Sequence, residues 1–502
     1  MTTSATLQVK QDPHGSPTSS VFDLPISNST SDPAILKPNI RILPDANINA
    51  PQTKPKPATT GINSSNASFV VVSGGTGGNA ICTAFSNAFF ILPVSDDGGS
   101  SSEIIRVLGG PSIGDIRSRL IRLIPPAPPS SPLDAIRTLL AYRLPVHYSE
   151  RQAREEWRDI VEGKSHLWHG IPTDRKETIR GKYSRVLEYA SSHVNQGFLV
   201  YFESELLKRA HKNFTFLNGS IGNYFLAAAQ GFFRSLPSAI FLFSSITNSG
   251  ANILPVIVTN HTVTIAAELE NGEKLVGQCE ISHPVARQSS PTTNVVEEWS
   301  PIDGVISQRQ QNVMFEHGSK GQFEHLTSRI SRLLYINAYG MEIHPSPNPE
   351  FISSIGSSDV FVYSCGSLWT SIIPCLALRG VGPAIARSRS LRAKVLLLNS
   401  ENDRETDGYT AVDYVQAITR TLNDCYQPQV YGIGTVNTQY PISAFVTDLV
   451  YLKGTRVPVD VKRLTVLGVR CTEVEADDDS DPPKFNVSCV KQAMDEILSR
   501  QL

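Results

Sequence analysis

The stretch "SDDGGSSSEII" sets Asp96 and Asp97 side by side, followed by Gly98, Gly99 and Ser100, just beyond the apolar run 89–94. Adjacent carboxylates repel, so a cation or a set of donors must balance them. Hard oxygen ligands at a strand end suit Mg²⁺, which takes one or two carboxylates and completes its shell with substrate phosphates. Two other readings stay open. An Asp or Ser before "SEIIRVL" is a common helix N-cap, although two carboxylates and two glycines exceed what a cap needs. An acid about 20 residues past a glycine turn can also hold a nucleotide ribose, and Asp96 stands at that offset from the turn at 74–78.

Three further places carry chemistry. The first is "GGTGG", comprising Gly74, Gly75, Thr76, Gly77 and Gly78. It lets backbone approach a ligand closely, and a helix starting there would offer N–H groups to a phosphate. It is neither a G-x-G-x-x-G fingerprint nor a Walker A loop, which disfavours a nicotinamide-dinucleotide site. The second is "PSIGDIRSRLIRLI". Asp115 is expected to cap a helix whose apolar face is Ile116, Leu120, Leu123 and Ile124. Arg117 falls in the first turn, where a cation opposes the helix dipole unless it serves an anion. The third is the pair "CGSLWTS" and "ETDGYTA". There Gly366, Ser367, Thr370 and Asp407 lie beside Trp369 and Tyr409, whose rings either stack on a base or sugar or pack as core. Cys365 has no evident His partner, so no thiol nucleophile is expected.

These residues need a scaffold, and the pattern supplies one. "SFVVVSGGTGGNAICTAF", "AFFILPVSDDGGS", "DVFVYSCGSLWTSIIPCLAL" and "AKVLLLNSENDRETDGYTAVDYVQAI" each read as strand, turn and helix. Such alternation predicts an α/β fold with a mostly parallel sheet flanked by helices, and ligands beyond the strands' carboxyl ends. "NGSIGNYFLAAAQGFF" opens a helix, "SAIFLFSSI" looks like a strand, and "VTIAAELENGEKLVGQCEI" a hairpin turning at Asn271-Gly272. Residues 1–66, rich in Ser, Thr, Pro and Asn, are expected to be disordered. The remainder, 67–502, reads as one domain with a helical insertion at 133–213, entered through the stiff "PPAPPSSP", and a polar loop at 287–320. The acidic "EADDDSDPP" reads as a solvated loop.

Composition narrows the classes. The 502 residues, 40 % of them apolar, can bury a sizeable core. A net charge of −2 and a pI of about 6.6 give no basic surface for a nucleic acid polymer or a membrane. The N-terminus lacks the apolar core of a secretory signal, and no run approaches the ~18 apolar residues of a membrane span. Seven cysteines occur without a Cys-x-x-Cys pair, so neither zinc nor disulfides are indicated and a cytoplasmic location fits. A homo-oligomer is left open.

"SGGTGG", "SDDGGSSSEIIRVLGGPSIGDIRSRL", "GSIGNYFLAA", "CGSLWTSIIP" and "ETDGYTAVDY" stand in the order of one family. The chain resembles the 2-phospho-L-lactate transferase (CofD) and gluconeogenesis factor (YvcK) family, more closely its second branch. The resemblance covers about residues 69–416 and implies a modified Rossmann-like fold. In the transferase branch a lactyl-phospho-guanosine donor passes phospholactate to a deazaflavin alcohol, with Mg²⁺ and release of GMP. In the other branch the same pocket binds a uridine-diphosphate sugar and the protein regulates metabolism without turnover. Carried over, the resemblance puts the glycine turn under the nucleotide, Asp97 and Asp115 at the metal, and Gly222 and Asn223 near phosphates or sugar. Departures fall at Gly219, Trp369 and Tyr414, where many members have His, Tyr and His. The insertion and the N-terminal tail set the chain apart from bacterial members and suggest a eukaryotic, fungal relative.

Overall fold

A computed structural model describes residues 64–75, 77–181, 197–209, 213–283, 325–424, 439–476 and 480–500. The tail expected to be disordered, save its last three residues, lies outside the described residues. So do Thr76, parts of the insertion, the loop expected at 287–320 and the centre of the acidic stretch.

Strand β1 (Phe69–Val72) leads through the glycine turn to α1 (Gly77–Ile81), then β2 (Ala88–Leu92), α2 (Gly99–Leu108) and α3 (Gly114–Arg122). Helices α4 (Pro132–Ala141), α5 (Glu150–Glu162), α6 (Thr173–Arg180) and α7 (Phe198–Lys208) follow. Next come α8 (Ile221–Phe233), α9 (Leu236–Ile246) and β3 (Asn252–Pro255). A smaller unit holds β4 (Thr264–Leu269), β5 (Lys274–Val276), α10 (Gln278–Ser282), β6 (Ile330–Ile336) and β7 (Glu342–Ile343). The chain continues with α11 (Pro349–Ser357), β8 (Val360–Tyr363), a π-helical turn (Leu368–Ile372) and α12 (Ile373–Leu376). It ends with α13 (Val381–Arg387), β9 (Ala393–Leu397), α14 (Ala411–Asn423), β10 (Asp448–Leu452), α15 (Val461–Val466), β11 (Arg470–Val474) and α16 (Val487–Ser499).

Seven strands form one sheet in the order β11-β10-β9-β8-β1-β2-β3, every pair parallel. Helices cover both faces, which is why β1 and β8 read as unbroken apolar runs and are buried throughout. Each of the three valines in β1 contributes about 1.5–3 kcal/mol by burial. The order reverses between β1 and β8: after β1 the chain builds outward through β2 and β3, and after β8 outward through β9, β10 and β11. A crevice at the strands' carboxyl ends is expected at such a reversal. The second sheet, β5-β4-β6-β7, is antiparallel, and its β4–β5 hairpin turns at Gly272 with φ +86°.

One element differs from expectation. "SAIFLFSSI" is the helix α9, not a strand. Ser235 caps it, Pro237 sits in its first turn, and its buried residues Leu236, Ala239, Ile240, Phe243 and Ile246 recur at helical spacing. The insertion helices are tied to α8 by aromatic packing. The Tyr224 ring lies 5.1 Å from Trp157 of α5 and 4.7 Å from Phe202 of α7. Among the described residues no single helix is long and apolar enough to cross a membrane.

Candidate functional site at the strand reversal

The turn after β1 and the turn after β8 meet at the reversal. A Cβ added to Gly77 would lie 2.5 Å from the Cys365 carbonyl oxygen, so the two backbones are in contact there. Gly75 has φ +63°, a conformation glycine adopts without strain. Gly74 rests against Ser371 of the π-helical turn, and Gly366 against the Gly74 carbonyl. Ser367 precedes that turn as its N-cap residue but makes no side-chain cap.

Beyond β2, the N-cap residue of α2 is Gly98, with no side-chain cap, so neither aspartate serves there. Asp96 Oδ1 accepts the Gly98 N–H at 3.0 Å, leaving the carboxylate folded back under the turn. Gly99, with φ +53°, starts the helix, and Ser100 on α2 is buried. Burial, then the charge of Asp115, pushes the Asp96 carboxyl up to about 8; the Gly98 N–H pulls it back only in part.

Asp115 lies in the first turn of α3, whose N-cap residue is Ile113, so the expected cap is corrected. Its Oδ1 accepts the Gly75 N–H at 3.1 Å, tying α3 to the glycine turn. Burial raises its pKa, while that N–H and the Arg119 guanidinium lower it. Asp97, expected to share a metal with Asp115, is turned elsewhere: its Oδ1 accepts the Cys279 N–H of α10 at 2.8 Å. Both neighbours act on Asp96: the charge of Asp115 raises its pKa more, that of Asp97 less. These hard oxygen donors fit a cation that draws its other ligands from phosphate and water. Among the described residues no three His, Cys, Asp or Glu side chains form a metal cage.

Arg117 was expected on phosphate. Its Nη2 donates instead to the carbonyls of Leu140 at 3.3 Å and Ala141 at 3.0 Å, at the C-terminus of α4. A cation there complements the helix dipole. Gly222 is glycine because a Cβ would lie 2.4 Å from that same Leu140 carbonyl. Asn223 reaches the site region: its Nδ2 donates to Ser100 Oγ at 2.8 Å, joining α8 to α2. Its Oδ1 is buried with no partner among the described residues.

Of the two readings of the aromatic pair Trp369 and Tyr409, stacking on a ligand or packing as core, the structure shows the second. Trp369 is 0 % exposed and its Nε1 donates to Tyr409 Oη at 3.3 Å. Tyr409 is buried too, with Arg329 4.9 Å over its ring. Thr370 is buried and donates its hydroxyl to Glu405. Asp407 is exposed and pairs with His325 at 3.0 Å, apart from the glycine turn's partners. Burial pushes the Cys365 thiol up to about 11, away from the thiolate form that a nucleophile needs.

Three residues were missed. Ser371 closes "CGSLWTS" and packs on Gly74. Glu405 opens "ETDGYTA"; its Oε2 accepts the Trp369 and Thr370 N–H groups at 2.9 and 3.1 Å, so it caps the π-helical turn. Burial first, and Asp403 next, push its carboxyl up to about 8. Arg119 lies one helical turn after Asp115, on the same face, and that spacing was the signal for it.

Comparison with known proteins accords with this architecture. Residues 69–476 match the family described as 2-phospho-L-lactate transferase CofD. The Saccharomyces cerevisiae protein YNL011C is 34 % identical over 82 % of this chain and 95 % of its own. The gluconeogenesis factor of Halalkalibacterium halodurans is 25 % identical over 58 % of this chain and 74 % of its own. The crystal structure of a UPF0052-family protein from Bacillus halodurans superposes with a TM-score of 0.51 at 21 % identity, covering 85 % of this chain and 99 % of that one. With a family match spanning residues 69–476 of the 502, the chain belongs to the 2-phospho-L-lactate transferase CofD family.

Proposed function

We propose that this chain binds a nucleotide or nucleotide sugar by its phosphates at the β1–β8 reversal, with Mg²⁺, and transfers a phospho group from it to an alcohol. The observation that carries this reading is the half-buried pair Asp96 and Asp115 beside the glycine turn, one of them pushed up to about 8. Two carboxylates held together out of full contact with water call for a shared proton or a cation. Asp96 and Asp115 would hold Mg²⁺, which when bound neutralises phosphate charge. The chain's own part is positioning: the glycine turn offers backbone, and Asp115 locks that turn through Gly75.

In the transferase reading the acceptor's hydroxyl oxygen bonds to phosphorus and the bridging P–O bond to a nucleoside monophosphate breaks. The acceptor's proton leaves to solvent, the monophosphate carrying the bridging oxygen. Similarity to gluconeogenesis factors supports a second reading, a UDP-sugar sensor without turnover. Incubation of the protein with nucleoside-diphosphate donors, acceptor alcohols and Mg²⁺ separates them: monophosphate release supports transfer, and binding without release supports the sensor.

A further inference from the structure

Arg119 is a long cation shut inside the protein, 1 % exposed. Its Nε donates to Asn79 Oδ1 at 2.8 Å and its Nη2 to Ser73 Oγ at 2.7 Å. Its guanidinium lies 4.9 Å from the centre of the Phe90 ring. Nη1 is buried with no hydrogen-bond partner among the described residues. The guanidinium thus hydrogen-bonds two neutral oxygens and lies against an aromatic face, with the Asp115 carboxylate near enough to act on it through its charge.

The two oxygens are placed tellingly. Ser73 is the last residue before the glycine turn and Asn79 lies in α1 just after it. One planar fork therefore bridges both ends of the turn, a geometry that a lysine's single ammonium cannot reproduce in full. The fit is close: a Cβ at Gly78 would lie 1.9 Å from Ser73 Oγ and 2.9 Å from Arg119 Nη2. Asn79 is itself fixed from α3, since its Nδ2 donates to Ser118 Oγ at 2.9 Å.

We propose that Arg119 is the positioning residue of the glycine turn: bonded to Ser73 and Asn79, it fixes the turn's backbone toward a ligand's phosphates and supplies a buried positive charge that selects a polyanion. This rests on the phosphate-binding reading above and deepens it. Arg119 acts from beneath the turn, through its two neutral partners, and the expected arginine, Arg117, is occupied at α4.

The test is calorimetric titration of full-length protein with UDP, GDP and the corresponding nucleosides, with Mg²⁺ present. Variants are Arg119→Met, Arg119→Lys, and Asn79→Ala, which opens one end of the strap while keeping the charge. Removing hydrogen bonds to a charged group is expected to weaken diphosphate binding about tenfold or more in Arg119→Met, with partial recovery in Arg119→Lys and an intermediate loss in Asn79→Ala. The preference for diphosphate over nucleoside should shrink alongside. Circular dichroism checks the fold, and Asn79→Ala decides the matter if Arg119→Met does not fold. Diphosphate preference unchanged in folded Asn79→Ala and Arg119→Lys overturns the inference. Wild-type protein that binds no diphosphate overturns the phosphate-binding reading instead.

Discussion

Asp115 raises the pKa of Asp96 across the junction of the β2 turn and α3, second only to burial in doing so. The backbone makes this approach possible: Gly114, immediately before Asp115, lies so close that a Cβ there would be 2.7 Å from Asp96 Oδ2. Two acids held this way store electrostatic strain that a proton or a cation relieves.

That strain sets a pH dependence. The Asp96 carboxyl titrates at about 8 in the fold against 3.8 for the free group. Between these values the folded state binds more protons than the unfolded one. Stability of the cation-free protein therefore falls as pH rises from about 4 to about 8, then levels. Asp96→Asn removes this slope, so thermal melts of the variant and the parent should diverge increasingly up to pH 8, the variant melting higher. Parallel curves from pH 5 to 8 would show that Asp96 is not buried as an acid.

Protons and cations compete for the same carboxylate. Divalent-ion affinity, followed as the Mg²⁺-dependent rise in melting temperature, should increase from pH 6 to pH 8 in wild-type protein. An affinity flat over this range places the ion elsewhere.

The Glu405 carboxyl is satisfied by donors alone, two backbone N–H groups and the Thr370 hydroxyl. Glu405→Ala leaves the Trp369 and Thr370 N–H groups buried without partners, and each such loss costs about 1–3 kcal/mol. Glu405→Gln keeps an oxygen for both. Chemical denaturation should show a loss of several kcal/mol for the alanine variant and a small change for the glutamine variant. Equal losses would mean the carboxylate charge itself holds the π-helical turn.

Trp369 separates packing from recognition. Trp369→Phe deletes the bond to Tyr409 and leaves space in a closed core, a loss of about 1–3 kcal/mol. Nucleotide affinity, measured below the lowered melting point, should stay within about twofold of wild type, since the ring is out of a ligand's reach. A selective loss of affinity at full stability would restore the stacking role.

The parallel sheet was legible because strands buried on both faces leave apolar runs, and each glycine turn marked a strand's end. The strand reversal at β1 and β8 was not, since sequence order does not reveal which strands are neighbours. "SAIFLFSSI" misled because a run of bulky apolar residues hides its period, which Pro237 and the Ser235 cap disclose. At the site, residue types were easier to read than directions. Asp96 and Asp97 are adjacent and chemically equal, yet Asp96 turns back to Gly98 while Asp97 turns out to Cys279. Arg117 and Arg119, two residues apart on one helix, point to different neighbours for the same geometric reason.

The central claim is that the glycine turn and the half-buried acid pair Asp96 and Asp115 form one phosphate-and-cation site. Calorimetric titration of wild type and Asp115→Asn with GDP, UDP and a UDP-sugar, in Mg²⁺ and again in EDTA, tests it most directly. At least one of these ligands should bind in Mg²⁺, lose its affinity in EDTA, and bind about tenfold or more weakly to Asp115→Asn. No binding by any of them, or the same Mg²⁺-dependent binding in Asp115→Asn, would contradict the claim.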